Sequence, residues 1–110
     1  MKLPNYEKAY VPEHKLTEYL LSETHAVGKS KAKYFREIGY SKTNVDQLRE
    51  AFIMIAKSHD IVQKVATPFG TKYIVDGNLV IPNGTTVQVR TIWVVESEDD
   101  PPRFVTAYPA

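Results

Sequence analysis

The segment THAVGKSKAKYFREIGY, residues 24–40, concentrates residue types that handle phosphate groups and protons. It carries His25 and, around Gly28, the cations Lys29, Lys31, Lys33 and Arg36. Gly28-Lys29-Ser30 matches the end of a nucleotide-binding P-loop. Such a loop also needs a glycine five positions before Gly28, where this chain has Glu23, and a strand before it, where this chain is predicted to be helical. The sequence therefore excludes a P-loop.

The same cations suit a simpler phosphate site. Ser30 is predicted to open a helix, which places free backbone N–H groups and the positive end of the helix dipole beside Lys29 and Lys31. Lys31 is the predicted phosphate anchor, and Lys29, Ser30 and Lys33 are the predicted substrate-binding residues around it. A solvated helix face explains the same composition at least as well, so both interpretations stay open.

His25 is the predicted proton-transfer residue. It precedes Gly28 in a predicted loop, and the pKa range of histidine suits proton transfer at neutral pH. A loop histidine without a chemical role is the competing interpretation. His14, His25 and His59 have no metal-ligand spacing and no accompanying carboxylate cluster, so we expect no metal and no cofactor.

Further polar residues recur in the last two predicted strands. Thr106 and Tyr108 come from the last strand and are predicted to complete a catalytic groove with His25 and Lys31. Thr91, one strand earlier, is the predicted further substrate-binding residue. Threonine and tyrosine are ordinary strand formers, so sheet packing also accounts for them.

Length and composition bound the class of protein. The 110 residues, 43% hydrophobic and 25% charged, predict one globular domain, 1–110. A net charge of +1 neither favours nor excludes a nucleic-acid partner, so any electrostatic argument depends on local clusters. Cysteine is absent, which excludes disulfides, thiolate zinc sites and a cysteine nucleophile. No apolar run approaches membrane-spanning length, so we expect a cytoplasmic protein, with delivery by a larger exported carrier left open.

Apolar spacing predicts three helices in the first half of the chain. The first begins near Pro12 and ends near Ser22, and the second is capped by Ser30 and stopped by Gly39. The third is capped by Thr43 or Asn44 and ends near His59. It has the clearest 3.6-residue period, formed by Val45, Leu48, Phe52 and Ile55.

After His59 the pattern changes to short β-rich runs separated by turn signals at Pro68-Phe69-Gly70, Asp76-Gly77 and Pro82-Asn83-Gly84. The sequence predicts an α+β fold with three N-terminal helices packed on an antiparallel sheet of four or five strands. Alternation places Phe104, Thr106 and Tyr108 together on one face of the last strand. Which face meets the helices stays open, because both carry apolar residues.

Several segments resemble an uncharacterised family of small bacterial domains, in the right order and over essentially the whole chain. They are MKLPN, KLTEYLLSETHAVGKSKAKYFREIGY, GTKYIVDG, VRTIWVV and PPRFVTAYP. This resemblance implies family membership and no particular activity.

The order of helices and strands, together with His25, Lys31, Thr91, Thr106 and Tyr108, more distantly resembles the barnase/EndoU/colicin/RelE-like ribonuclease toxins. This resemblance implies a metal-independent ribonuclease toxin that cleaves RNA by 2′-hydroxyl attack, with RNA and an acidic antitoxin or immunity protein as its partners. The alternative is a non-catalytic protein-interaction module, such as an immunity protein, antitoxin or adaptor. Mixed surface charge and the lack of a highly specific catalytic motif favour that alternative.

Overall fold

The computed structural model describes residues 1–20 and 29–110, without the side chains of residues 18–20 and 29–32. A 3₁₀ turn, Tyr6–Lys8, is followed by a π-helical segment, Lys15–Leu20, and by the helices α1, Lys29–Glu37, and α2, Val45–Ser58. Four strands follow: β1, Gln63–Thr67; β2, Gly70–Val80; β3, Thr86–Val95; and β4, Arg103–Pro109. They form one antiparallel sheet in the order β1-β2-β3-β4, which confirms the predicted α+β class.

The predicted helices fall close to the observed elements. The first is helical from Glu13, and its predicted end near Ser22 lies outside the described residues. Helix α1 begins at Lys29, so Ser30 lies within its first turn and is not its cap. Gly39 ends α1 as predicted: its φ is 108°, and the Tyr40 N–H donates to the Phe35 carbonyl at 2.9 Å.

Helix α2 starts where its pattern predicts, but Asn44 does not cap it through its side chain. The Asn44 side chain instead joins the α1–α2 connection, since its Oδ1 accepts from the Ser41 N–H at 2.8 Å and its Nδ2 donates to the Gly39 carbonyl at 3.0 Å. The apolar face of α2 is buried as predicted, at Val45, Leu48, Phe52 and Ile55.

Asp76-Gly77 is not a turn, which corrects the predicted hairpin at this dipeptide. Both residues lie inside the continuous strand β2, paired with Arg90 and Val89 of β3. A Cβ on Gly77 would lie 2.8 Å from Cγ1 and Cγ2 of Ile55. The glycine therefore allows α2 to pack closely on the sheet. Because β2 continues through Asp76 and Gly77, the described residues form four strands.

The hydrophobic core lies between the helices and one face of the sheet. Phe104 of β4 stacks on Phe52 of α2 with ring centroids 4.8 Å apart, and Trp93 of β3 meets Phe104 edge-on at 5.5 Å. Phe35 of α1 meets Phe52 edge-on at 6.0 Å. These four rings join both helices to the last two strands, so the core fixes which sheet face the helices cover.

Thr91 is a buried polar member of this core, which corrects its prediction as a substrate-binding residue. Its side chain is 0% exposed, its Oγ1 donates to the Val75 carbonyl at 2.6 Å, and it accepts from Trp93 Nε1 at 2.8 Å. The hydroxyl thus satisfies two buried partners and has no access to a surface groove.

Thr91→Val is expected to lower the free energy of unfolding by about 1–3 kcal/mol, because it leaves the Trp93 Nε1–H buried without a partner and removes one hydrogen bond to the Val75 carbonyl. Thr91→Ser keeps the hydroxyl and is the matched control. Urea unfolding followed by the fluorescence of the single tryptophan measures both variants. A Thr91→Val protein as stable as Thr91→Ser would contradict the assigned hydrogen bonds.

Candidate functional site

The sheet face turned away from α1 and α2, here called the outer face, carries a row of polar side chains. In β2, Tyr73, Val75 and Leu79 belong to the core, so the alternating residues, including Asp76 and Asn78, point to the outer face. Asp76 is paired with Arg90, and Arg90 with Tyr108. Three neighbouring strands therefore place a carboxylate, a guanidinium and a phenol side by side.

A β-bulge in β4 aims Tyr108 at this face. Trp93 pairs with Phe104, whereas the adjacent Ile92 pairs with Thr106, so Val105 is an extra residue without a partner across the strand pair. Phe104 therefore points into the core, and Thr106 and Tyr108 point to the outer face. This corrects the prediction that all three share a face, and it keeps Thr106 and Tyr108 together.

Asp76 holds Arg90 with two hydrogen bonds. Arg90 Nε donates to Asp76 Oδ1 at 2.8 Å, and Arg90 Nη2 donates to Asp76 Oδ2 at 2.9 Å. This fork leaves the other guanidinium N–H groups unused by Asp76, and Tyr108 also interacts with Arg90. Arg90 is thus a permanent cation with a fixed orientation, which suits it to binding a phosphate.

The same contact sets the protonation of the pair. The hydrogen bond from Arg90 lowers the pKa of the Asp76 carboxyl, the guanidinium charge adds to this effect, and partial burial opposes it. The hydrogen bond to Asp76 likewise raises the pKa of Arg90. Because the aspartate pKa is depressed in the folded state, the pair stabilises the fold at neutral pH, and this contribution is lost as the pH falls below about 4.

An apolar pair lies beside the polar row. Ile74 and Ile92 are paired across β2 and β3, are 8% and 6% exposed, and lie outside the main core cluster. Thr106 continues this pair onto β4, opposite Ile92. The outer face therefore offers an apolar floor bordered by charged and hydroxyl groups.

A cleft of about 250 Å³ opens at the other side of the polar row, lined by His59, Asp76, Gly77, Asn78, Gln88 and Ala110. His59 follows the last turn of α2, and its partly buried ring has an Nδ1 atom that makes no hydrogen bond in the described part of the chain. In residues 1–20 and 29–110, no three histidine, aspartate or glutamate side chains are grouped so that they could hold a metal ion.

The predicted site residues thus have different outcomes. Thr106 and Tyr108 lie on adjacent positions of the outer face, and Thr91 lies in the core. Lys29, Ser30 and Lys31 begin α1, but their side chains lie outside the described part, and Lys33 is exposed on the same helix. His25 lies outside the described residues.

Sequence reasoning missed Arg90, Asp76 and the cleft beside His59. A sequence signal existed for the first two residues, because opposite charges in neighbouring strands of a meander are candidates for a cross-strand pair. Asp76 lies opposite Arg90 only because Asp76 and Gly77 are inside strand β2. The Asp-Gly dipeptide is typical of a hairpin turn, so the sequence predicted a turn at this position instead.

The sequence places the chain in a protein family. The chain is a member of the family described as "Domain of unknown function (DUF6883)", whose model matches residues 2–110. This confirms the predicted membership of an uncharacterised domain family. A search of curated proteins found no match to the sequence.

A solved structure shares the whole fold. The chain is similar to one from a "Contact-dependent growth inhibition toxin - immunity protein complex from Klebsiella pneumoniae 342", with a TM-score of 0.73, 21% identity and 97% of each chain covered. At this identity the similarity shows a common fold. No helix within residues 1–20 or 29–110 has both the length and the apolar character needed to cross a membrane.

Proposed function

We propose that this domain is a metal-independent ribonuclease of the toxin type that cleaves RNA by attack of a 2′-hydroxyl on the adjacent phosphate. The observation that carries the proposal is the row Asp76–Arg90–Tyr108, where an orientated cation lies beside a phenol on the face opposite the helices. The shared fold with a chain of a toxin–immunity protein complex supports a toxin or immunity role.

The chemistry requires a base for the 2′-hydroxyl, an acid for the leaving 5′-oxygen and positive charge for the phosphate oxygens. Arg90 supplies the charge, and Tyr108 and Thr106 orient the nucleotide or donate a proton. His25 remains the proposed proton-transfer residue and Lys31 a second phosphate anchor. His59, beside the cleft, is the candidate already near the polar row.

His25→Ala is expected to lower RNA cleavage by about 10²–10⁴-fold, the usual loss for a general acid or base, while the fold is retained. The purified protein is incubated with total RNA in EDTA, and the products are tested for 2′,3′-cyclic phosphate ends. His14→Ala, which removes an exposed histidine without an assigned role, is the matched control. Full activity in His25→Ala together with a comparable loss in His59→Ala would move proton transfer to His59.

The same assay tests the whole proposal. If the wild-type chain cleaves no RNA and does not slow growth when expressed without a partner, the domain is a non-catalytic protein-interaction module. An immunity protein, antitoxin or adaptor with this fold would keep the outer face as a binding surface.

As a toxin, the domain is expected to have an acidic antitoxin or immunity protein that covers Lys29, Lys31 and Lys33. The opposite charges of the two proteins speed their encounter, and the bound partner blocks the phosphate site. Because salt screens this attraction, raising the salt concentration should slow association. Association kinetics with an acidic protein encoded beside the domain measure this effect. Replacing the three lysines by glutamine should slow association, whereas replacing Lys2, Lys8 and Lys57 should not. Rates that are independent of salt and of the first substitution would contradict the partner proposal.

A further inference from the structure

The cleft beside the polar row contains hydrogen-bonding groups that the fold itself does not use. Asn78 of β2 and Gln88 of β3 are direct cross-strand partners, and both side chains are exposed on the outer face. Neither side-chain amide makes a hydrogen bond within the described part of the chain. The Ala110 N–H donates to the Gln88 carbonyl at 3.2 Å, so the backbone at this end of the cleft is fixed while the amides are available to a ligand.

His59 adds a second observation at the same place. Its Nδ1 atom is buried and makes no hydrogen bond among the described residues, although its ring lines the cleft. Buried polar atoms are nearly always paired, so a ligand that reorients this ring can supply the hydrogen-bond partner that Nδ1 lacks. Amides and an imidazole together favour a flat, polar, uncharged ligand over a second phosphate.

The spacing between Gln88 and Arg90 matches the distance from the phosphate to the base within one nucleotide. Gln88 and Arg90 are two residues apart on β3 and point to the same face, which separates them by about 7 Å along the strand. A phosphate on Arg90 therefore leaves the attached base within reach of Asn78 and Gln88. This step rests on the proposed function, because it takes the ligand to be RNA.

We propose that the cleft binds adenine or cytosine, the RNA bases with an amino group at purine position 6 or pyrimidine position 4, next to the phosphate held by Arg90. An amide of asparagine or glutamine donates to a ring nitrogen and accepts from the neighbouring amino group. The Asp76 carboxylate also lines the cleft, and its two bonds to Arg90 leave further acceptor positions. It attracts an amino group, and it repels the carbonyl oxygen that guanine and uracil carry at the corresponding position.

The four nucleoside 3′-monophosphates are the probes, with binding to the full chain followed by NMR titration. Adenosine and cytidine monophosphates are expected to bind about 5- to 150-fold more tightly than the guanosine and uridine compounds. The double variant Asn78→Leu with Gln88→Met keeps the side-chain volumes and should lose this preference. Gln47→Met, which removes an exposed amide from α2, is the control and should keep it.

Equal affinity for all four nucleotides, or an unchanged preference in the double variant, overturns the base-binding site. The result is separable from the ribonuclease assay. Selective nucleotide binding without RNA cleavage would support the cleft while rejecting the catalytic proposal. Cleavage that shows no base preference would support the catalytic proposal while rejecting the cleft.

Discussion

Arg90→Met is expected to reduce RNA cleavage by about 10²–10³-fold, with most of the loss in kcat. Arg90 is the orientated cation of the outer face, and loss of one charge-stabilising donor typically has an effect of this size. Arg90→Lys should recover only part of the activity, because an ammonium group cannot reproduce the fork that Asp76 holds in place. Initial rates on a defined single-stranded RNA measure the three proteins.

The controls separate charge from orientation. Asp76→Asn leaves the guanidinium positive but weakens its fixation, so we expect an intermediate loss of activity. Arg49→Met removes an arginine that pairs with Asp46 on α2, and it should leave cleavage unchanged. An Arg90→Met protein that is folded, as judged by Trp93 fluorescence, and as active as Arg49→Met would remove Arg90 from the mechanism.

Phe104→Ala is expected to lower the free energy of unfolding by about 3–5 kcal/mol, the usual cost of truncating a buried phenylalanine. Phe104 is 0% exposed, stacks on Phe52 and meets Trp93 edge-on, so it joins β4 to both α2 and β3. Domains of this size are stable by only about 5–15 kcal/mol, so the variant should be partly unfolded at physiological temperature. Urea unfolding at 25 °C measures the change.

Phe69→Ala is the matched control for this prediction. Phe69 lies between β1 and β2 and is 84% exposed, so its removal should change stability by no more than about 0.5 kcal/mol. Similar losses in the two variants would mean that Phe104 contributes no more than a surface ring. The Phe52–Phe104 stack would then not be the centre of the core.

Helix positions were the most predictable part of the fold. The period of Val45, Leu48, Phe52 and Ile55 correctly predicted α2 and its buried face, because a helix repeats its apolar side chains locally. Gly39 correctly predicted the end of α1, because a positive φ favours glycine. Such signals depend on neighbouring residues, and the sequence shows them directly.

Two features of the sheet were predicted wrongly because they depend on distant contacts. Asp76-Gly77 has the composition of a turn, but Gly77 lies within a strand, where it gives Ile55 of α2 room to pack. Alternation along β4 placed Phe104, Thr106 and Tyr108 on one face. The bulge at Val105 reverses the alternation, because Phe104 must enter the core while Tyr108 pairs with Arg90.

The sequence by itself determined the α+β class, the extent of α2 and the end of α1 at Gly39. These features follow from composition and from the local spacing of apolar residues, so they can be predicted without knowing which strands pair. Only the tertiary structure decided that Thr91 is buried, that Asp76 holds Arg90, and that His59 shares a cleft with Asn78 and Gln88. Register, the bulge and the choice of the helix-covered face set these contacts, and all three arise from packing between residues far apart in the chain.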